Sequence, residues 1–308
     1  IDDKFTKDLS INDAVKRMRG AKGTKVTLTI MREGFDKPKD FPLTRDIIQV
    51  KSVKYKTLDE GYAYVRIAQF QEKTDDDLAK ALSALKSENG GKLSGLVLDL
   101  RNDPGGLLDQ AVRVAEHFIA EGELIVYTEG REKDSKVRYT SRKGSKEPGY
   151  PIVVLINGGS ASASEIVAGA LQDHKRGVIM GTQSFGKGSV QSLIELSDNS
   201  GLRLTTARYF TPSGRSIQAK GITPDITVEK IELAAAAEKK DSMHIREKDL
   251  ENHFEDKDKD KEKDKDAKKE KLPLYKTDEQ VKGDYQILRA LDLLKGWEII
   301  KKVMTTTG

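Results

Sequence analysis

The sequence predicts an α/β protein built on a largely parallel sheet, and three observations predict it. Gly95-Leu-Val-Leu-Asp-Leu100 and Pro151-Ile-Val-Val-Leu-Ile156 are short, nearly continuous apolar runs, as expected of strands buried on both faces. Each passes through a turn, Asp103-Pro-Gly-Gly106 or Gly158-Gly159, into a segment whose apolar residues recur at helical spacing. Strands that alternate with helices in this way form βαβ units, and such units make parallel sheets.

The elements follow in order. Ile1 to Thr6 read as a strand end and turn, so the chain is expected to begin inside a domain. Ser10-Ile-Asn-Asp13 is a helix-start signature with Ser10 as N-cap. Ile11, Ala14, Val15 and Met18 share one helical face, and Gly20 supplies the stop. Lys25 to Met31 alternates as a strand. Residues 1–35 thus form a small α+β piece, and 36–60, with Pro38 and Pro42, read as a connecting segment. The main core is expected over 61–230. It opens with a strand at Tyr62–Ile67 and a helix marked by Leu78, Leu82 and Leu85. The two buried strands follow, each with its helix: Leu108, Ala111, Val114, Ala115 and Phe118 face inward in one, Ile166, Val167, Ala170 and Leu171 in the other, which starts at about Ser164. Beyond Gly177 the period shortens to strands at Val178–Met180, Val190–Leu196 and Leu202–Phe210, the last two joined by an Asp198-Asn-Ser-Gly201 hairpin turn. Residues 231–248 read as a second connection. Residues 249–272 read as a solvated linker, because Asn252 to Lys271 is almost pure Asp, Glu and Lys and cannot bury enough apolar area to offset the entropy of ordering. In 273–308, Ile287, Leu288, Leu291 and Leu294 mark an amphipathic helix that must pack on something, which suggests a homo-oligomer.

Composition excludes several classes. The formal net charge is only +4, from 54 basic and 50 acidic residues, so no surface dedicated to nucleic acid is indicated. The absence of cysteine removes disulfides, cysteine-ligated zinc and thiol nucleophiles together. No run of apolar residues is long enough to span a membrane, and the chain opens on no secretory signal.

The segment richest in chemistry is Asn157-Gly-Gly-Ser-Ala-Ser-Ala-Ser-Glu165. A buried strand that turns through glycines into a helix sets small hydroxyl side chains at the positive end of the helix dipole, beside free backbone N–H groups. A hydroxyl there can attack a carbonyl while a neighbouring N–H stabilises the oxyanion. The plain structural reading stands beside it, since Ser162-x-x-Glu165 is also a capping box. The spacing is not that of a Gly-x-Ser-x-Gly elbow. A serine needs a base. His117 sits beside Phe118 in a helix as a packed histidine would. His174 lies about three helical turns beyond the serines, toward the far end of their helix, and His244 and His253 belong to the charged tail region. A lysine is the alternative, because desolvation disfavours its charged form and lets it accept a proton. Lys187, between Gly186 and Gly188, is the candidate, against the reading of an exposed loop charge. Gly181 to Lys187 also approaches a phosphate-binding loop, but Gly188 stands where a magnesium-binding hydroxyl belongs, and the next segment reads as a hairpin where that loop demands a helix.

Leu100-Arg-Asn-Asp-Pro-Gly-Gly-Leu107, Asn157 to Glu165, Phe185-Gly-Lys-Gly-Ser-Val-Gln191 and Ala207-Arg-Tyr-Phe-Thr-Pro-Ser-Gly214, followed by Gly221-Ile-Thr-Pro-Asp225, resemble the carboxyl-terminal processing (tail-specific) proteases, PDZ-containing serine peptidases of family S41. The resemblance reaches to about Glu229, and Ser162 and Lys187 are 25 positions apart, as in the family's dyad. It implies a crotonase/ClpP-like parallel-sheet peptidase core with a partial PDZ domain over 1–35 and a C-terminal helical segment. It implies Ser162 as nucleophile, Lys187 as general base, Gln191 as the residue that orients the lysine, and the N–H groups of Gly106 and Ala163 as the oxyanion hole. Asp103 departs from the family, which often has Asn or Gly there. No metal or organic cofactor is implied. The implied partners are protein or peptide substrates with accessible C-termini, with room for an adaptor protein and none for nucleic acid. The implied location is the periplasm, or the thylakoid lumen in plastids. The missing half of the PDZ groove is expected to prevent an intact reading of substrate C-termini. Two other classes compete: a scaffold of the same fold that captures peptides without cutting, and an acyl-CoA or nucleotide enzyme.

Overall fold

β5 (Gly95–Asp99) and β8 (Ile152–Ile156) are the two apolar runs, and they lie side by side in parallel register, Leu96 opposite Ile152 and Asp99 opposite Leu155. Their side chains alternate between two buried faces. Leu96, Leu98, Val154 and Ile156 join the larger core, whereas Val97, Val153 and Leu155 join a smaller one on the opposite face. Burial on both faces is why neither run shows a polar residue at every second position.

The computed structural model describes residues 1–7, 9–47, 51–59, 61–131, 135–142, 147, 149–198, 200–229 and 284–306. The chain divides into two units, Ile1–Lys51 and Ser52–Gly308. In the first, α1 (Ile11–Met18) is capped by Ser10, whose hydroxyl oxygen accepts the N–H of Asp13. β1 (Lys25–Ile30) pairs antiparallel with β2 (Lys39–Thr44).

In the second unit a six-stranded sheet runs in the order β12 (Ile226–Thr227), β9 (Val178–Gly181), β8, β5, β4 (Tyr62–Ile67), β3 (Val53–Asp59). All its pairings are parallel except β3 with β4. The crossovers are made by α2 (Thr74–Glu88), α3 (Leu108–Glu116) and α4 (Ala163–Asp173), whose Leu78, Leu82, Leu85, Val114, Ile166 and Leu171 pack into the larger core. Each fully buried aliphatic side chain contributes about 1.5–3 kcal/mol. The opposite face is covered by α5 (Tyr285–Thr306) through Ala290 and Leu294. A second, antiparallel sheet runs in the order β10 (Ser189–Glu195), β11 (Gly201–Phe210), β6 (Leu124–Gly130), β7 (Val137–Thr140).

The α/β class and the parallel sheet agree with expectation; several boundaries do not. The segment 36–60, read as a connection, holds β2 and β3. Pro42 masked β2, yet proline is tolerated in a two-stranded ribbon, where it faces Thr27. β3 is an edge strand with lysines at alternate positions, and it belongs to the unit that begins at Ser52. β6 and β7 were not anticipated. α3 ends at Glu116, and Phe118 is buried just beyond it. The segments 231–248 and 249–272, and residues 273–283 ahead of the final helix, lie outside the described residues. Among the described residues no helix is long and apolar enough to cross a membrane.

Candidate active site

The turns that follow β5 and β8 meet at the carboxyl edge of the sheet, where open α/β sheets bind their ligands. Among the hydrogen bonds that join them, three set the serine cluster. The Ala161 N–H and the Ser164 hydroxyl both donate to the Asp103 carbonyl, at 2.9 and 3.0 Å, and the Ser160 hydroxyl donates to the Leu100 carbonyl at 2.8 Å. Ser160 and Ser164 are fully buried by these roles. Ser162, between them, is only half-buried. It is the N-cap of α4 and adopts φ 56°, ψ −111°, a conformation costly for any residue with a Cβ. The fold therefore singles out the middle serine of the cluster.

Glu165 holds that serine against the lysine loop. Its carboxylate accepts the Ser162 N–H at 2.7 Å and the Lys187 N–H at 2.9 Å on the same oxygen, Oε2. Its other oxygen accepts the Ser184 hydroxyl at 2.6 Å and the Gly186 N–H at 2.7 Å. The capping-box spacing signalled the first bond; nothing in the spacing signalled the other three. Burial pushes the Glu165 carboxyl up to about 7, although all four donors favour its charged form. Lys187 is half-buried and leads directly into β10.

The turn after β5 closes the site from the other side. A Cβ on Gly105 would stand 2.9 Å from both the Ala163 nitrogen and the Ser162 Cβ, so this backbone lies in direct contact with the serine turn. Gly106 has φ 150° and presses on the Phe70 carbonyl, and the Leu107 N–H donates to that same carbonyl at 3.0 Å. Among the described residues the N–H groups of Gly106 and of Ala163, the first residue of α4, have no hydrogen-bond acceptor. Two free donors thus stand on the two turns that converge on Ser162. Asp103 is wholly buried. Its Oδ1 accepts the Gly105 N–H at 2.8 Å, its Oδ2 has no partner, and burial raises its carboxyl to about 7.

The two described histidines are occupied elsewhere, and His244 and His253 lie outside the described residues. His117 is buried with Nε2 2.6 Å from Asp75 Oδ1, and His174 is the C-cap of α4, at the opposite end of that helix from Ser162. The loop from Gly181 runs into a strand and not a helix, against a nucleotide site. Gln191 lies exposed in β10, just past a register shift at Val190/Gln191, and no hydrogen bond among the described residues joins its side chain to Lys187. The structure thus brings together the backbones of Ser162, Ala163, Lys187, Gly105 and Gly106, and leaves Gln191 apart. Sequence reasoning missed the wider role of Glu165, and Ser184 altogether.

Residues 61–228 match the sequence profile described as peptidase family S41. The chain is 56% identical over 231 residues to a carboxy-terminal-processing protease of Bartonella bacilliformis, covering 75% of this chain and 53% of that protein. It is 42% identical over 234 residues to a carboxyl-terminal-processing protease of Synechocystis sp., again covering 75% of this chain and 53% of the relative. The solved photosystem II D1 C-terminal processing protease superposes with a TM-score of 0.54 at 33% identity, covering 74% of this chain and 61% of that one. The chain spans about half the length of the curated relatives it matches.

Proposed function

The chain belongs to peptidase family S41, and from that premise we propose that it is a serine endopeptidase in which Ser162 is the nucleophile and Lys187 the general base. The observation that carries the reading is the shared acceptor: one oxygen of a buried carboxylate takes the N–H of both residues. That anchor fixes the serine turn and the lysine loop relative to each other before substrate arrives, so little reorganisation remains for the reaction.

The chemistry follows. The Lys187 side chain takes the Ser162 hydroxyl proton as Oγ attacks the scissile carbonyl carbon. The carbonyl oxygen gains the displaced electron pair and is met by the N–H groups of Gly106 and Ala163, which are preorganised and otherwise unused. Collapse of the tetrahedral intermediate breaks the C–N bond, and the Lys187 ammonium protonates the leaving amine. Water then gives a proton to Lys187 and attacks the acyl-serine ester; the second collapse returns a proton to Ser162 Oγ and releases the carboxylate. Gln191 would orient the lysine only after a side-chain movement that brings it inward.

By analogy with the names of its relatives, the substrates are proteins cut near accessible C-termini, and an exported location such as the periplasm fits that role. In this reading residues 1–35 carry the helical wall of a PDZ groove, whose exposed Ile11 on α1 is free to meet a peptide. The test is hydrolysis of an unstructured protein such as casein by the wild-type chain, Ser162→Ala and Lys187→Ala. Cleavage is expected to vanish in both variants with circular dichroism unchanged. Full activity in either variant overturns the dyad, and binding without cutting by the wild type leaves the peptide-capturing scaffold.

A further inference from the structure

Arg101 emerges from β5 five residues before Gly106, and its buried guanidinium is divided between two distant parts of the chain. Nε and Nη2 donate to the two oxygens of Asp99, at 2.9 and 2.7 Å. Nη1 donates to Asp284 Oδ1 at 2.9 Å and to Gln286 Oε1 at 2.7 Å, across 185 positions of sequence in the second case. Asp284 immediately precedes α5 and Gln286 is its second residue, itself buried and donating from Nε2 to the Val228 carbonyl at 2.6 Å. Around this pair the cluster is closed. The Tyr64 hydroxyl donates to Asp99 Oδ2 at 2.7 Å, and Arg66 donates to that oxygen and to the Arg101 carbonyl, at 3.3 and 3.1 Å. Burial works against charge on Asp99, yet the bonds and charge of Arg101 more than offset it and hold the carboxyl below its ordinary range.

The backbone beyond Arg101 is the proposed oxyanion turn. Asn102, at φ 55°, donates its N–H to Asn157, and the Asp103 carbonyl takes the Ala161 N–H and the Ser164 hydroxyl. The serine turn thus grips this strand end on one side, and the Arg101 cluster grips it on the other. Only the cluster includes the C-terminal helix.

We propose that Asp284 and Gln286 are positioning residues for the reaction: through Arg101, the start of the C-terminal helix fixes the strand end from which Gly105 and Gly106 present the oxyanion site. The inference rests on the proteolytic reading for its catalytic consequence, but the mechanical link is independent of it. Arg101 is suited to the task because its planar fork satisfies two partners in fixed directions, which a lysine cannot do. Loss of the Gln286 acceptor leaves a buried guanidinium N–H short of a partner, and the strand end relaxes to compensate.

The experiment compares the full chain with Gln286→Met, Asp284→Asn and, as a control, Lys295→Ala, which removes the separate ion pair between α5 and Asp59. Two quantities are read: casein hydrolysis, resolved into kcat and KM, and amide hydrogen exchange over residues 100–107. Gln286→Met is expected to lower kcat about tenfold with KM within about twofold, since small misplacements of catalytic groups are that costly. Asp284→Asn is expected to do the same to a smaller degree, both variants should speed exchange over 100–107, and Lys295→Ala should leave both readouts at wild type. Wild-type exchange and kcat in Gln286→Met overturn the proposal, as does an equal loss in Lys295→Ala, which would mark general loosening of the helix. A wild-type chain without hydrolysis sinks the proteolytic reading instead, while the exchange measurement still decides the link to Arg101.

Discussion

The Ser184 hydroxyl donates to Glu165 Oε1 at 2.6 Å and its oxygen accepts the Ile222 N–H at 2.6 Å, so a single buried side chain ties the lysine loop to the carboxylate beneath Ser162. All four groups that face the Glu165 oxygens donate, and only the ionised carboxylate can accept from every one of them. An amide cannot, because its NH2 would confront the Gly186 N–H or the Lys187 N–H. Glu165→Gln is therefore expected to cost about 2–3 kcal/mol of stability and to lower kcat at least about tenfold. Calorimetry and initial rates on the purified variant check both numbers. Protonation should lower the rate of the wild type, so activity should decline as pH falls through about 7, where Glu165 takes up its proton; folding stability runs the other way and is lost as pH rises through that value.

Asp103 makes a prediction of opposite character. Burial raises its carboxyl from the ordinary 3.8 to about 7, so between those values the native state holds a proton that the unfolded chain releases. Stability is then fully present below the lower value and is lost as pH rises through the upper one. Asp103→Asn removes the titration and keeps an oxygen for the Gly105 N–H. Relative to wild type it should be equally stable near pH 4 and more stable at pH 8, by on the order of 2–4 kcal/mol. Glu165 titrates in the same window in both proteins and drops out of the difference. Urea unfolding at the two pH values decides; a constant offset would contradict the burial argument.

Gly106 is required by shape alone. A Cβ at this position would stand 2.0 Å from the Phe70 carbonyl oxygen and 2.8 Å from its carbon, both of them backbone atoms that cannot swing aside. Gly106→Ala is expected to lose more than about 3 kcal/mol, or to fail to fold. The control is Gly91→Ala, where φ is also positive, at 86°, but nothing lies within 4 Å. There the cost should be only the strain of the backbone conformation, about 1 kcal/mol.

The parts of the molecule legible in the sequence are those fixed by local pattern. β5 and β8 announce themselves because both faces are covered, and the three serines announce themselves by crowding at a strand-to-helix turn. Which serine remains half-exposed was not legible, since that depends on Ser160 reaching the Leu100 carbonyl and Ser164 reaching the Asp103 carbonyl, each about 60 residues away. Glu165 was legible as a helix cap through its contact three residues back, and illegible as a partner of the Lys187 loop, which the β9 crossover returns to it. β2 and β3 were hidden by proline and by alternating lysines, the ordinary dress of edge strands. The contact of Arg101 with Gln286 had no sequence signature at all: two polar side chains become partners only because α5 covers the face of the sheet opposite the main core.

The proposed nucleophile carries the last prediction. Ser162 holds φ 56° with ψ −111°, outside the regions open to residues with a Cβ, and such strain costs about 1–3 kcal/mol. Ser162→Ala keeps the Cβ and therefore the strain, so its stability should match wild type within a few tenths of a kcal/mol. Ser162→Gly relieves it and sacrifices about 0.5–1 kcal/mol through the freer unfolded chain, for a net gain of about 1 kcal/mol. Both variants should be inactive. Thermal unfolding of the pair separates the two causes: the hydroxyl is lost in each, and only glycine changes what the backbone conformation costs. Should the alanine variant gain as much as the glycine variant, the destabilising element is the half-buried hydroxyl and not the turn, and the fold stores no strain at this residue.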